Sequence, residues 1–118
     1  MSSYTCINIT VRRADGDSVS GQDLASFDEA FFSMTWSEKH SYSHVCHNNR
    51  EMFASGTLFH DFDEMDLDDF ARSHPHLQIE VIEEGEYGAF RHLYHGELYE
   101  KCDEIRTFEK PVLIDWEV

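Results

Sequence analysis

The chain has 118 residues, 41% of them apolar and 14% aromatic, with 24 acidic side chains against nine lysines and arginines and a formal charge of −15. That length suits one domain, residues 1–118, with a modest core, and its apolar and aromatic content excludes a disordered acidic tail. The charge argues against direct binding to nucleic acid or anionic membranes and in favour of a basic partner.

No apolar run approaches the roughly 18–20 residues that span a bilayer. The opening Met1-Ser2-Ser3-Tyr4 lacks the basic and apolar regions of a signal peptide. Cys6, Cys46 and Cys102 are odd in number and form no C-x-x-C pair, which suits reduced thiols better than a disulfide framework. The expected location is the cytoplasm, that of a bacterial host cell for the functional reading given below.

Ile7, Ile9 and Val11 alternate with Cys6, Asn8 and Thr10, the pattern of a half-buried strand. Ala14-Asp15-Gly16-Asp17-Ser18 breaks it. Ser20 and Asp23 have the spacing of a capping box with aspartate in place of glutamate. Leu24, Phe27, Phe31 and Met34 then form an apolar stripe along one helix face, with Asp28 and Glu29 off it.

Trp36 to Cys46 alternates in part and predicts a strand, His47-Asn48-Asn49-Arg50 a turn, and Met52 to Phe59 a further strand. A second helix is expected to begin near Asp63 or Glu64 and to stop before Pro75, since proline disfavours helical geometry in His74. Its inner face holds Leu67, Phe70 and Ala71. Leu77, Ile79 and Val81 predict the next strand, Gly85 and Gly88 bracket a loop, and Ala89 to Tyr94 resumes an extended pattern. His95-Gly96 falls where a tight hairpin turn is expected, Leu98 to Cys102 is the return strand, and Val112, Ile114 and Trp116 suggest a terminal one. The sum is an α+β chain: an antiparallel sheet of about five strands with two helices on one face.

Motifs for chemistry are sparse. His74-x-His76, His92-x-x-His95 and His40, His44 and His47 beside Cys46 have ligand-like spacings, but alternation along a strand turns His44 and His47 to opposite faces. No H-E-x-x-H motif appears. Counted from Asp61, an EF-hand loop would need Met65 as a ligand and Asp66 as its turn glycine. The six glycines never form a P-loop or a dinucleotide fingerprint, and no G-x-S-x-G elbow exists. Neither a catalytic residue, a metal nor a cofactor is assigned, and no enzymatic activity is expected.

The densest charge lies at Asp61, Asp63, Glu64, Asp66, Asp68 and Asp69, six carboxylates in nine residues with no base among them. Glu83, Glu84 and Glu86 make a second group, and Tyr87 beside them is a candidate interface anchor because aromatics are favoured there. Carboxylates this close repel one another unless a cationic partner relieves them. The bland account is that they solubilise a small protein and cap a helix.

The segment from Phe59 to Lys101 resembles a pattern in small uncharacterised proteins of bacterial phages, plasmids and conjugative elements. The matching residues are Phe59-His60-Asp61, Asp63-Glu64-Met65, Phe70 to Pro75, Leu77 to Val81, Glu84-Gly85-Glu86, Phe90-Arg91 and Tyr94-His95-Gly96. The resemblance covers about a third of the chain. It implies a ferredoxin-like α+β sandwich and says little of activity.

Small acidic proteins of mobile elements are often inhibitors of host defence. Size and charge therefore lead to an expectation of a non-enzymatic inhibitor of the anti-CRISPR type. It would act as a DNA mimic whose carboxylates occupy a basic groove meant for the phosphate backbone. The expected partner is a basic nucleic-acid-binding protein or complex, a CRISPR effector first among them, with the chain as monomer or homodimer. An immunity protein or antitoxin against a basic nuclease toxin is the alternative, and a metal-binding protein using the histidines is a second.

Overall fold

A computed structural model describes residues 5–35, 44–48, 50–58, 65–85 and 88–103. Six strands and two helices follow one another as β1 (Thr5–Arg13), α1 (Gly21–Thr35), β2 (His44–His47), β3 (Glu51–Leu58), α2 (Met65–Ser73), β4 (Leu77–Gly85), β5 (Gly88–His95) and β6 (Leu98–Asp103). The strands form one sheet in the order β2-β3-β1-β4-β5-β6, and every pairing is antiparallel.

Alternation along β1 sorts the sheet into two faces. Ile7, Ile9 and Val11 are buried, and the register places them opposite Gly56, Ala54 and Met52 of β3 and opposite Glu83, Val81 and Ile79 of β4. Directly opposed residues share a face, so this row pattern is the floor of the core. Both helices lie on it. α1 packs against β3, α2 against β4 and β5, and the helices touch each other.

α1 starts where the sequence predicts. The Asp23 backbone N–H donates to Ser20 Oγ at 3.0 Å, the Ser20 N–H reaches back to Asp23 Oδ2 at 3.5 Å, and the Leu24 N–H bonds the Ser20 carbonyl at 3.0 Å. Two donors that the helix leaves without internal partners are thereby satisfied. Phe27 and Phe31, one turn apart, are fully buried, and Leu24 and Ala30 pack at the margin of the core. Full burial of each phenyl ring contributes about 2–3 kcal/mol. α2 buries Leu67, Phe70 and Ala71, and Phe70 meets Phe27 with ring centroids 5.8 Å apart. Beyond it the His74 ring stacks on Phe70 at 4.4 Å and lies 2.8 Å from the Phe70 carbonyl. The chain turns at Pro75 into β4.

Four details differ from the sequence reading. Among the described residues the sheet has six strands rather than about five, and the return strand expected at Leu98 to Cys102 is the sixth, Leu98–Asp103, paired with β5. Of the strand expected over Trp36 to Cys46, the described part is His44–His47, and residues 36–43 lie outside the described residues, as does the strand expected at Val112 to Trp116. The hairpin turn is Gly96-Glu97 instead of His95-Gly96. His95 still pairs with Leu98, and Gly96 supplies the positive φ of 62°. Finally β4 runs on to Gly85, so Glu83 and Glu84 are strand residues. Ile7 and Cys6 of β1 pair with them and extend the ladder past the last large apolar side chain of β4.

Candidate functional site

Among the described residues, Glu83 and Glu84, expected in one partner-binding group, do not share a surface. Asp61, Asp63, Glu64, Glu86 and Tyr87 lie outside the described residues. Asp66 is the second residue of α2. Asp68 is half-buried and accepts from Arg72 Nε at 2.9 Å, one helical turn on, while Asp69 is exposed. Arg72 also approaches Glu97 of the β5–β6 hairpin at 3.9 Å.

Glu83 and Glu84 are neighbours in the chain and opposites in space. Glu83 is on the helix-covered face, beside the core, and Glu84 is exposed on the other face, opposite Cys6 and Ala89. A patch that joins them is therefore split by the sheet itself. The pleat sends successive side chains to opposite sides.

Glu83 is engaged internally. Its Oε1 lies 2.7 Å from His92 Nε2, and His92 Nδ1 lies 2.7 Å from the Tyr99 hydroxyl. A carboxylate only accepts, so Nε2 donates to Glu83, and the neutral imidazole then accepts the Tyr99 O–H at Nδ1. His92 is 2% exposed. The Tyr99 ring closes over it at 6.0 Å and meets Tyr94 at 5.0 Å. A chain of three polar groups thus crosses β4, β5 and β6 on the core side.

The opposite face holds a second buried contact between the same two strands. Arg91 Nε donates to Glu80 Oε2 at 2.7 Å, and the Arg91 side chain is 3% exposed. Nη1 and Nη2 are buried with no acceptor among the described residues. Leu93, fully buried, and Cys102 pack together on that same face.

Asp23 and Asp15, elsewhere in the fold, are shifted in their acidity. Burial pushes Asp23 upward, but hydrogen bonds from His76 and from Ser20 outweigh it and hold the carboxyl below its ordinary value of 3.8. His76 Nε2 sits 2.9 Å from Asp23 Oδ1, joining the first turn of α1 to the start of β4. Asp15 is held at about 2, chiefly by its hydrogen bond with Arg13 and then by the Asp17 N–H. The same hydrogen bond from Asp15 raises Arg13.

Of the histidines at ligand-like spacings, His74, His76 and His92 make other contacts, while His40 lies outside the described residues. His74 and His76 have ring centroids 5.9 Å apart, with His76 on Asp23 and His74 on the Phe70 carbonyl. His92 and His95 lie on opposite faces of β5. Among the described residues no cluster of three metal-ligating side chains occurs, and no helix is long and apolar enough to cross a membrane. Cys6 and Cys102 are not in a disulfide.

Sequence reasoning missed the Glu83–His92–Tyr99 chain and the Glu80–Arg91 contact. The available signal was a hairpin whose two arms carry glutamate on one side and Arg91-His92 on the other. Comparison with known protein families, curated proteins and solved structures finds no match.

Proposed function

We propose that this chain is a non-enzymatic inhibitor of the anti-CRISPR type, a ferredoxin-like sandwich whose carboxylates occupy a basic groove on a nucleic-acid-binding protein. The strand order β2-β3-β1-β4 with a helix after β1 and another after β3 supports the ferredoxin-like reading, with β5 and β6 as an extension. The observation that carries the function is where the counter-charges go. Arg13, Arg72 and Arg91 are spent on this chain's own Asp15, Asp68 and Glu80. Glu29, Asp69 and Glu84 are exposed and have no cationic partner among the described residues. These three carboxylates thus face solvent with their charge uncompensated by a described cation.

Inhibition on this reading is steric and electrostatic. DNA offers its reader about one charge per 1.7 Å of axis, and rigidly held carboxylates compete for the same lysines and arginines. An electrophoretic shift assay tests it, with CRISPR effector complexes of several types, target DNA and two salt concentrations. The expected result is loss of DNA binding that weakens as salt rises. Reversal of Asp66, Asp68 and Asp69 to lysine is expected to abolish it, and inhibition that survives these reversals overturns the acidic helix as the contact.

A further inference from the structure

His74, Pro75 and His76 link the end of α2 to the start of β4. The Leu77 N–H closes the turn on the His74 carbonyl at 3.0 Å, and proline takes the second position, where its fixed φ suits such a turn. Two further bonds hold the backbone. The His74 N–H donates to the Ala71 carbonyl at 3.2 Å, and the His76 carbonyl accepts the Ala14 N–H at 2.9 Å. Both imidazoles therefore stand on a fixed frame, with ring centroids 5.9 Å apart.

Each ring is also fixed at one nitrogen. His74 Nδ1 lies 2.8 Å from the Phe70 carbonyl, and the His74 ring stacks on the Phe70 ring at 4.4 Å. His76 Nε2 lies 2.9 Å from Asp23 Oδ1. A carbonyl and a carboxylate only accept, so these two nitrogens carry the protons. In the neutral rings the lone pairs are left on His74 Nε2 and His76 Nδ1, and neither nitrogen bonds a described residue. His76 is exposed and His74 half-buried, so the pair is open to solvent.

We propose that His74 and His76 form a binding site for a divalent transition-metal ion, with water completing its coordination. An imidazole that ligates a metal nearly always donates its other N–H to a carboxylate or a backbone carbonyl, which fixes the tautomer and strengthens the donor. Both kinds of support are present here, Asp23 for His76 and the Phe70 carbonyl for His74. Asp23 is itself buried and tied to Ser20 at the first turn of α1, so it holds His76 from a rigid base. The separation agrees. With metal–nitrogen distances of about 2.0–2.1 Å, two imidazoles on one ion have centroids roughly 5–6.4 Å apart.

The donor set selects the ion. Imidazole nitrogens suit nickel, copper and zinc, whereas magnesium and calcium take oxygen ligands. A chain of charge −15 also concentrates cations around itself. Two protein ligands are fewer than the four of a structural zinc site, so the ion exchanges with solvent and the fold does not depend on it. The inference is independent of the inhibitor reading, which concerns other residues.

Titration of tag-free, isotope-labelled protein with ZnCl2, followed by calorimetry and by the imidazole nitrogen resonances, is the test. Before metal is added, His74 is expected as the Nδ1–H tautomer and His76 as the Nε2–H tautomer. Saturation at one Zn2+ per chain is expected, with His74 Nε2 and His76 Nδ1 shifting together. His74→Phe, which keeps a ring on Phe70, and His76→Phe are each expected to abolish saturation over the range where the wild type saturates. Asp23→Asn is expected to weaken binding about tenfold by loosening His76, while His95→Gln leaves it unchanged. Excess magnesium is expected not to displace the zinc. Saturable binding that leaves either imidazole unshifted, wild-type affinity in both histidine variants, or displacement by magnesium overturns the proposal, as do shifts that never saturate.

Discussion

β4 and β5 are tied together by two buried contacts of the same design, one on each face of the sheet. Glu80 opposes Leu93 but bonds Arg91, and Glu83 opposes Phe90 but bonds His92, so each contact reaches two residues diagonally across the ladder. They differ in how well the geometry suits the base. An imidazole has two ring nitrogens, and Glu83 and Tyr99 take one each. A guanidinium has five N–H donors, and the diagonal supplies a bond to Nε while Nη1 and Nη2 remain buried without acceptors among the described residues. The comparison teaches that a strand diagonal can satisfy histidine and under-serves arginine. The first contact closes a network that fixes the register of three strands, and the second keeps a desolvation cost that Glu80 offsets only in part.

Removing one partner of each contact tests this difference most strongly. Glu80→Gln leaves the Arg91 charge buried and uncompensated, and a loss of about 3–5 kcal/mol is expected in urea unfolding. The double variant Glu80→Gln with Arg91→Met is expected to recover most of it, because the unpaired charge is then gone. A double variant as unstable as the single would show that packing of the arginine stem matters more than its charge.

On the other face, His92→Phe is expected to cost about 1–3 kcal/mol for each of the two partners left unmet. Tyr99→Phe, which removes the outer link alone, is expected to cost about 0.5–1.5 kcal/mol. Equal effects from these two substitutions would dissolve the three-membered chain into unrelated contacts.

A smaller effect calibrates the pair from outside the hairpin. Ser20→Ala at the start of α1 is expected to cost about 1 kcal/mol. The smallest is read by pH. Because the folded Asp23 carboxyl lies below its ordinary 3.8, its contribution is full above that value and is lost as pH falls through the lowered folded one. Asp23→Asn is expected to flatten this acid limb of the stability curve. An unchanged acid limb would mean that the His76 contact does not act on folding.

Both helices were legible because their apolar spacings are regular: Leu24, Phe27 and Phe31 in α1, and Leu67, Phe70 and Ala71 in α2. The Ser20–Asp23 cap was legible for the same local reason. What escaped was everything set by pairing between distant segments. The grouping of Glu83 with Glu84 followed from adjacency in the chain, and it failed because β4 continues through them once β1 lies alongside. Arg12, Gln78 and His95 are far apart in sequence and become neighbours only through the order β1-β4-β5. Asp68 read as free charge, yet Arg72 one turn later already answers it, a spacing that the sequence did display.

The central place of β1 has a consequence for the time course of folding. Its two neighbours are β3 and β4, neither of which is the next strand in the chain, and β4 arrives only after both helices have been made. A nascent chain therefore holds Ile7, Ile9 and Val11 without a β-partner until β3 is made, and the β1–β4 pairing is expected to close late because a long loop must be ordered first. The hairpin of β4, β5 and β6 needs no such wait. It can form from its own short turns and then offer β4 as the edge on which the oldest strand of the chain is finally captured.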